Sequence, residues 1–441
     1  MIALPEKFID NTKEHLGAQN AEALFDALLN TSAVTSVRLN PLKKAPIFDN
    51  AVPIDWCDNG KTLAVRPNFT HIPQLHGGAF YVQESSSMFV GELVRKFNPH
   101  RVLDLCAAPG GKSTHISSVI SDDSILVSNE VIRQRASILA ENIQKWGRGN
   151  TVVTSSDAVR FGRMTDYFDL IVVDAPCSGE GMFRKDPEAR QQWSNDNVNL
   201  CADRSRRIVA DVWNALQIGG TMIYSTCTFN RLENEDTVKW ICDTLGAEVL
   251  PIEYPKGATD TGYGAHFFPH LISGEGLYVA ALQKTRSSDV EFSLSKGSRA
   301  PLVSVCKADM AELARWIGSD TEFRIGGNSI WGYGSHLAQE IDYILSFVNV
   351  IYSGIEMGSI YHGELKPSHA ISLASGCIFA QESHIDYSEA INFLKRGVLS
   401  PSVYSNGISR VMYDGVGLGW AKGIAGKRVN SLYPSSWRIL K

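Results

Sequence analysis

The chain of 441 residues contains no uninterrupted apolar run long enough to span a bilayer. Its first residues also lack a basic segment followed by an apolar core, which is the pattern of a secretory leader. Both absences argue against export and against a membrane partner. The sequence therefore predicts a cytoplasmic protein.

Cysteine is present but never as a C-x-x-C pair. The eight cysteines follow no regular spacing, which argues against a disulfide framework and against a structural zinc site. We therefore expect no metal. A reducing compartment would also leave the thiols free to react.

A general excess of positive charge is also missing, because the formal net charge is −5. This weakens any interpretation in which the whole surface binds phosphate, so a nucleic acid would have to bind through local basic patches. One candidate patch lies between Arg133 and Arg207. A second is the last 21 residues, which hold five basic residues and no acid. For each single residue, solvated surface charge is the simpler interpretation.

The chain is longer than a domain with a single hydrophobic core usually is, so roughly two to four domains are expected. The N-terminal part is typical of a small α/β unit, with a strand at 35–40 and a helix at 87–97. A short helix is predicted much later, at 311–317. The expected domains are 1–95, 96–287, 288–358 and 359–441.

From residue 101 onward, short apolar runs alternate with helical patterns. A helix is predicted over 131–146, where Ile132, Ala136, Leu139 and Ile143 recur at helical spacing. Such alternation is typical of an α/β protein with a parallel, doubly wound, Rossmann-like sheet and right-handed crossovers. Strands are expected at 102–106, 125–130, 151–155, 168–173 and 221–225, with a closing strand at 276–282.

The first predicted strand leads into a glycine-containing loop, residues 106–112, that opens a helix. Its amides would face the crevice at the carboxyl ends of the strands, where open α/β sheets bind ligands. Gly110 and Gly111 would let a ligand approach the backbone, and Pro109 would stiffen the turn. The spacing matches neither a dinucleotide fingerprint nor a nucleotide triphosphatase loop. A purely structural turn is the alternative.

Two acids follow the next two predicted strands. Glu130 could hold both hydroxyls of a ribose, and Asp157 could accept a hydrogen bond from an adenine amino group. Helix capping is the common alternative for an acid at such a position. Together with the loop, the two acids favour a site for an adenosine moiety.

Two cysteines lie where later strands should end. Cys177 belongs to the run Asp-Ala-Pro-Cys-Ser-Gly at 174–179, and Cys227 to the run Ser-Thr-Cys-Thr at 225–228. Because the two strands should be neighbours, the thiols should converge. One thiol could then add to C6 of a cytosine and activate C5, while the other could help the sulfur leave. The residues alone do not assign the two roles, and inert packing is the alternative.

Three motifs in this order are similar to the signature blocks of the NOL1/NOP2/Sun family of RNA m5C methyltransferases. They lie at 103–112, at 174–181 and at 224–228. Over its whole length the chain is similar to the bacterial group that acts on 16S ribosomal RNA. The resemblance implies a cytosine-C5 methyltransferase that uses S-adenosylmethionine.

The resemblance also implies residue roles. Cys227 would be the nucleophile, Cys177 would aid release of the enzyme, and Asp174 would contact the cofactor, the base or both. The implied cofactor-binding residues are Cys106, Ala107, Ala108, Pro109, Gly110, Gly111, Lys112, Glu130, Asp157 and Asp174.

Further similarity to the family lies outside the predicted catalytic sheet. The blocks at 36–41 and 83–88 imply an N-terminal RNA-binding segment, and the blocks at 417–422 and 432–438 imply a PUA-like tail. RNA is therefore the expected partner. Since a cytosine reacts only when extruded or single-stranded, Phe183, Arg184 and Trp193 are candidate contacts to it, with loop packing as the alternative.

Two other functions share some of these features. A methyltransferase acting on transfer RNA would have the same catalytic residues, and only the C-terminal domains favour a ribosomal substrate. A non-catalytic RNA-binding factor for ribosome assembly would have no need for Asp174, Cys177 and Cys227 beside a cofactor loop.

Overall fold

The structure is a computed structural model that describes residues 3–286, 302–318, 320–379, 381–424 and 426–440. Its first part is a small α/β unit in which an antiparallel sheet runs in the order β2-β3-β1-β4. The strand expected at 35–40 and the helix expected at 87–97 are confirmed. The elements are α1 (Glu6–Leu16), α2 (Ala18–Asn30), β1 (Thr35–Leu39), β2 (Val52–Ile54), β3 (Cys57–Leu63), α3 (Pro73–His76), β4 (Phe80–Val82) and α4 (Met88–Phe97).

The second part alternates strands and helices as the apolar pattern predicts. It begins with β5 (Arg101–Asp104), α5 (Gly111–Val119), β6 (Ile125–Asn129), α6 (Arg133–Trp146), β7 (Thr151–Thr154), α7 (Ala158–Gly162) and β8 (Phe168–Asp174). It continues with α8 (Pro187–Gln192), α9 (Asn195–Val212), β9 (Leu216–Thr226), α10 (Glu235–Trp240), β10 (Ala247–Val249), β11 (Thr259–Asp260), β12 (Ala265–Phe267) and β13 (Leu277–Lys284).

These strands form one large sheet whose centre runs in the order β9-β8-β5-β6-β7, with all neighbouring pairs parallel. The predicted doubly wound sheet is confirmed there, while the closing strand β13 pairs antiparallel with β9. Valine, leucine and isoleucine fill both faces of the central strands, as expected for a sheet covered on both sides. The strand order reverses between β5 and β8, which places a ligand crevice at their carboxyl ends.

The last part consists mainly of two smaller sheets, in the orders β14-β15-β16-β18-β19 and β20-β21-β22-β23. Its first elements are β14 (Val303–Ser304), α11 (Lys307–Leu313), β15 (Thr321–Gly326), β16 (Ser329–Gly334), α12 (Ala338–Phe347), β17 (Val350–Ser353), β18 (Ile355–Tyr361) and β19 (Glu364–Pro367). The remainder are α13 (His369–Leu373), β20 (Glu382–His384), α14 (Tyr387–Lys395), β21 (Gly407–Tyr413), β22 (Val416–Ile424) and β23 (Arg428–Ser431).

One strand from this region belongs to the large sheet instead. β17 pairs antiparallel with β7 at its edge, and Ile341 and Ile344 of α12 are buried in the same core. The sequence did not predict this connection. The helix expected at 311–317 in fact spans Lys307–Leu313. The expected domain boundary at 287/288 lies outside the described residues, and the domain limits stay predictions.

No helix among the described residues is both long and apolar enough to cross a membrane.

Candidate active site

A cleft of about 730 Å³ opens at the carboxyl ends of β5, β6, β7 and β8. Its size lies within the range usual for sites that bind small molecules, and it occupies the position where the strand order reverses. The structure brings most of the predicted site residues to this one place. Those that line the cleft are Cys106, Ala108, Glu130, Asp157, Asp174, Cys177 and Cys227.

The two thiols converge as the strand order predicts. β8 and β9 are paired in parallel with Asp174 opposite Ser225, so Cys177 and Cys227 both follow at the same sheet edge. Their sulfur atoms lie 3.3 Å apart. The hydrogen bond with Cys227 raises the pKa of the Cys177 thiol well above its ordinary value, and burial adds to the effect. Cys177 therefore holds its proton strongly.

Asp174 ends β8 and is shared between two partners. Its Oδ1 accepts a hydrogen bond from Ser225 Oγ at 2.9 Å, and its Oδ2 lies 2.8 Å from Nζ of Lys112. Burial acts to lower the pKa of Lys112, but the ion pair with Asp174 outweighs it and leaves the pKa raised. The charge of Cys227 contributes in the same direction. Lys112 is therefore a fixed cation beside both Asp174 and Cys227.

The predicted cofactor loop joins β5 to α5. Gly110 has a φ of +115°, a conformation that an L side chain rarely adopts. Carbonyl groups of the loop are held from α6, since Arg135 donates to Ala108 O at 3.0 Å and Asn142 donates to Pro109 O at 2.8 Å. Ala107 is buried, and Pro109 is exposed. Gly111 begins the helix that carries Lys112.

Arg38, in β1 of the N-terminal sheet, forms hydrogen bonds with the helix α5 that carries Lys112. Its guanidinium donates to Thr114 Oγ1 at 2.6 Å and to Gly111 O at 3.2 Å, and it lies over the ring of Trp146. Burial lowers the pKa of Arg38 to about 9. Arg38 belongs to the block at 36–41 but was not among the predicted site residues.

The two acids predicted for an adenosine moiety both line the cleft, and both also stabilise a chain turn. Glu130 is buried; its Oε1 accepts from Ile132 N at 2.9 Å, and its Oε2 lies 3.2 Å from Arg135. Asp157 caps α7 by accepting from Val159 N at 3.1 Å. The capping interpretation and the ligand interpretation are compatible, since each carboxylate still faces the cleft.

A third acid was not predicted as a site residue. Asp104 ends β5 and is fully buried, with its Oδ2 accepting from Ser113 Oγ at 2.6 Å. Its Oδ1 has no hydrogen-bond partner in the described part of the chain. Burial raises the pKa of Asp104 to about 7.

One face of α9 also lines the cleft, although its residues were not predicted as site residues. Arg204, Arg207, Ile208 and Asp211 follow at helical spacing and all face it. The two arginines are exposed. The i, i+3, i+4, i+7 spacing shortly after the Cys177 block was the available signal.

The candidate base contacts do not lie in the cleft. Phe183 and Trp193 are buried around Phe8 of the N-terminal helix α1. Arg184 forms a buried ion pair with Glu275 at 2.8 Å. The packing alternative is therefore correct for these three side chains.

Potential metal ligands occur away from the cleft. His15, Glu235 and His266 lie close enough to hold one ion, as do Cys57, Glu92 and His115. The expectation that no metal takes part stays a prediction.

The sheet order and the position of the cleft define a Rossmann-like methyltransferase fold. A methyltransferase homolog protein from Pyrococcus horikoshii superposes with a TM-score of 0.56 at 24% identity, covering 64% of this chain and 96% of that one. NSun6 from the same organism, in a crystal structure with SFG, superposes with a TM-score of 0.56 at 18% identity, covering 65% and 100%. At these identities the two structures show the fold alone.

Family models match along the chain in a consistent order. The N-terminal domain of 16S rRNA methyltransferase RsmF matches residues 4–85, 16S rRNA methyltransferase RsmB/F matches 93–283, and the methyltransferase RsmF PUA domain matches 380–439. These three matches confirm the resemblance to NOL1/NOP2/Sun methyltransferases, together with the N-terminal unit and the PUA-like tail.

Curated relatives agree with this assignment. Ribosomal RNA small subunit methyltransferase F of Cronobacter sakazakii is 36% identical over 313 residues, which cover 65% of this chain and 64% of the relative. The chain thus spans less than two thirds of that relative's length. The protein of the same name from Vibrio cholerae is 28% identical over 468 aligned positions, which cover 98% of this chain and 97% of the relative.

Proposed function

We propose that the protein methylates C5 of a cytosine in ribosomal RNA, with S-adenosylmethionine as the methyl donor and a covalent bond between a cysteine and C6 of the base. The observation that carries this proposal is the 3.3 Å separation of the Cys177 and Cys227 sulfurs at the wall of the cleft. A purely RNA-binding protein would have no use for two such thiols beside a cofactor loop. Cytoplasmic location and independence of metal are part of the proposal.

The residues of the cleft fit S-adenosylmethionine. Glu130 and Asp157 offer carboxylate oxygens for ribose hydroxyls and an adenine amino group, and Ile132 and Ile208 offer apolar surface for the adenine ring. When bound, the cofactor supplies a methyl group carried on a positively charged sulfur.

Cys227 is the better nucleophile of the two thiols. The hydrogen bond with Cys227, together with burial, raises the pKa of Cys177, which disfavours Cys177 as the attacking thiolate. Lys112 provides a cation close to Cys227, where it can stabilise a thiolate. The Cys227 thiolate adds to C6 of the cytosine, and the electron pair displaced from the C5–C6 double bond makes C5 nucleophilic. Asp174 lies at the same wall, where it can orient the base.

Cys177 then serves as the base that releases the product. Once Cys227 has become a thioether, its contribution to the raised pKa of Cys177 is lost, and in the proposed cycle Cys177 then gives its proton to solvent in the cleft. The resulting thiolate takes the proton from C5, the C5–C6 double bond re-forms, and Cys227 departs as a thiolate. Both sulfurs return to their starting protonation states, and one proton is released for each methyl group transferred.

A ribosomal substrate is supported by the curated relatives, whose names specify the small-subunit RNA. Exposed basic side chains are also present in the PUA-like tail, where Lys422, Lys427, Arg428 and Arg438 all reach solvent. Such a patch can bind the phosphate backbone even though the whole chain is acidic. The basic patch would serve any RNA, so the names of the relatives are what favours ribosomal RNA over transfer RNA.

The test is methyl transfer from labelled S-adenosylmethionine to RNA by the purified protein. Cys227→Ala should abolish transfer and leave cofactor binding intact, while Cys242→Ala, which changes a half-buried thiol outside the cleft, should keep both. Transfer by Cys227→Ala would refute the assignment of the nucleophile. Bisulfite sequencing of ribosomal and transfer RNA from cells with and without the protein would identify the substrate.

A further inference from the structure

Two loops carry the reactive cysteines, and each loop also carries a buried glutamate. The first loop, residues 175–182, follows β8 and contains Glu180, which is 1% exposed. The second, residues 227–234, follows β9 and contains Glu233, which is 0% exposed. Each carboxylate accepts hydrogen bonds from the other loop.

Glu180 binds the backbone of the second loop. Its Oε2 accepts from Phe229 N at 2.6 Å and from Asn230 N at 3.0 Å. Its Oε1 accepts from Asn230 Nδ2 at 3.1 Å and from the indole of Trp193 at 3.0 Å. All four partners are N–H donors.

Glu233 makes the reverse connection to the first loop. Its Oε1 accepts from Ser178 N at 2.8 Å, and its Oε2 accepts from Ser178 Oγ and from Asn230 Nδ2, both at 2.5 Å. Ser178 directly follows Cys177, so Glu233 holds the residue beside the first thiol. Ser178 Oγ also lies 2.9 Å from the hydroxyl of Thr228, which directly follows Cys227.

The backbones of the two loops are in direct contact at a glycine. Gly181 N donates to Cys227 O at 2.8 Å, and a Cβ atom at Gly181 would lie 2.7 Å from that same oxygen. Any side chain there would push the loops apart. The carbonyl of Cys227 is therefore fixed by the first loop, as the amide of Ser178 is fixed by the second.

Burying two acids side by side is unfavourable unless their interactions compensate. In the described part of the chain neither carboxylate has an arginine, lysine or histidine partner within ion-pair distance, and burial raises the pKa of Glu233 to about 7. An arrangement with this cost and this many directed bonds indicates a requirement for position. The group positioned on each side is a cysteine.

We infer that Glu180 and Glu233 are positioning residues that form a reciprocal clamp, which sets the distance between the sulfurs of Cys177 and Cys227. The inference deepens the proposed function, because it assigns the geometry on which the two-thiol chemistry rests. A glutamine at 180 would turn its NH₂ group towards N–H donors that now bind a carboxylate oxygen, and a glutamine at 233 would turn it towards the amide of either Ser178 or Asn230. Either change leaves buried N–H donors without an acceptor, so the two loops should lose their fixed spacing.

The test compares Glu180→Gln and Glu233→Gln with Glu235→Gln in the full chain. Glu235 is a matched control because it is buried and close in sequence, but it faces His266 at 2.8 Å and not the cysteine loops.

The first measurement is the affinity for phenylarsine oxide, which bridges two thiols only when they are close. Cys177→Ala and Cys227→Ala give the background from other thiols. Both clamp variants should lose at least about tenfold in affinity, and the control should match the wild type.

The second measurement is methyl transfer to RNA. The clamp variants should lose at least about tenfold in kcat while the KM for S-adenosylmethionine stays within about twofold. Ser178→Ala, which removes one hydroxyl from the network, should lose less and serves if a glutamine variant fails to fold.

The outcomes separate the two proposals. Wild-type arsenical affinity in folded Glu180→Gln and Glu233→Gln, or in Ser178→Ala if those fail to fold, would overturn the clamp. If the arsenical affinity falls as expected but the wild-type protein itself transfers no methyl group to any RNA, the clamp stands and the proposed function fails. A loss of kcat without any loss of arsenical affinity would also contradict the clamp, because the sulfurs would then be unmoved.

Discussion

Lys112 Nζ lies 2.8 Å from Oδ2 of Asp174, and this contact joins the first turn of the helix α5 to the end of the strand β8. It brings a residue of the predicted cofactor loop to the wall that holds both thiols. Lys112 therefore contributes to the electrostatics around Asp174 and the two thiols as well as to the loop. The resemblance implied cofactor binding for both residues but did not imply that they pair with each other.

Lys112→Met should reduce methyl transfer by about a hundredfold. It removes the cation beside Cys227 and leaves Asp174 without its charged partner, a change of a few kcal/mol at a largely buried pair. Activity should also need higher pH, because the thiolate loses its nearby positive charge. The check is a pH profile of kcat. Lys239→Met is the control, since Lys239 forms an ion pair of the same 2.8 Å length on the exposed surface; equal losses in both variants would contradict a role specific to the cleft.

Cys177→Ala should trap a covalent adduct between the protein and RNA. The variant keeps the Cys227 nucleophile but lacks the thiolate that removes the C5 proton, so methylated RNA stays attached. The adduct should appear as a retarded band on a denaturing gel. Cys201→Ala, which changes a buried thiol of α9, should give no such band. Normal turnover and release by Cys177→Ala would exclude the release role.

The convergence of the two thiols could be predicted from the sequence because it depends on few facts. Each cysteine closely follows an apolar run, and consecutive parallel strands of a doubly wound sheet end at the same edge. The registers of β8 and β9 confirm this. Glu130 and Asp157 line the cleft because they also closely follow strands that end at this edge of the sheet.

Other features depend on tertiary contacts that no local pattern records. The strand β17 joins β7 across a long sequence separation, and its four residues have no distinctive pattern. Phe183 and Trp193 are near Cys177 in sequence, yet they pack on the remote Phe8. The helix predicted at 311–317 ends at Leu313. Trp316 and Ile317 are buried after the helix end, and their apolar spacing made the sequence look helical beyond the true end.

Arg204→Gln combined with Arg207→Gln should weaken RNA binding. Both arginines are exposed at the rim of the cleft on α9, where they can bind phosphates that flank the target base. The KM for RNA should rise about tenfold and its dependence on salt should become shallower, while cofactor affinity stays unchanged. These are measured by methyl transfer over a series of salt concentrations.

A matched pair of changes tests whether position or net charge matters. Arg95→Gln combined with Lys239→Gln removes the same charge from exposed side chains outside the cleft. The KM for RNA should then stay near the wild-type value. An equal rise in both double variants would show that only the overall charge counts.

His115 should make stability depend on pH. It is buried in α5 beside Glu92, and burial, with help from the positive charge of Arg38, lowers its pKa to about 4 from an ordinary 6.5. Between these values the unfolded chain binds a proton that the folded protein does not, so the stabilising contribution of neutral His115 is fully present above pH 6.5 and is lost as the pH falls towards 4.

The variant His115→Gln tests this dependence because it has no such proton to bind. Its melting temperature should be lower than that of the wild type at pH 7.5, and the difference should shrink at pH 5. His384→Gln, at an exposed position, should melt like the wild type at both values. A constant difference between wild type and His115→Gln across this range would mean that His115 does not titrate as its burial requires.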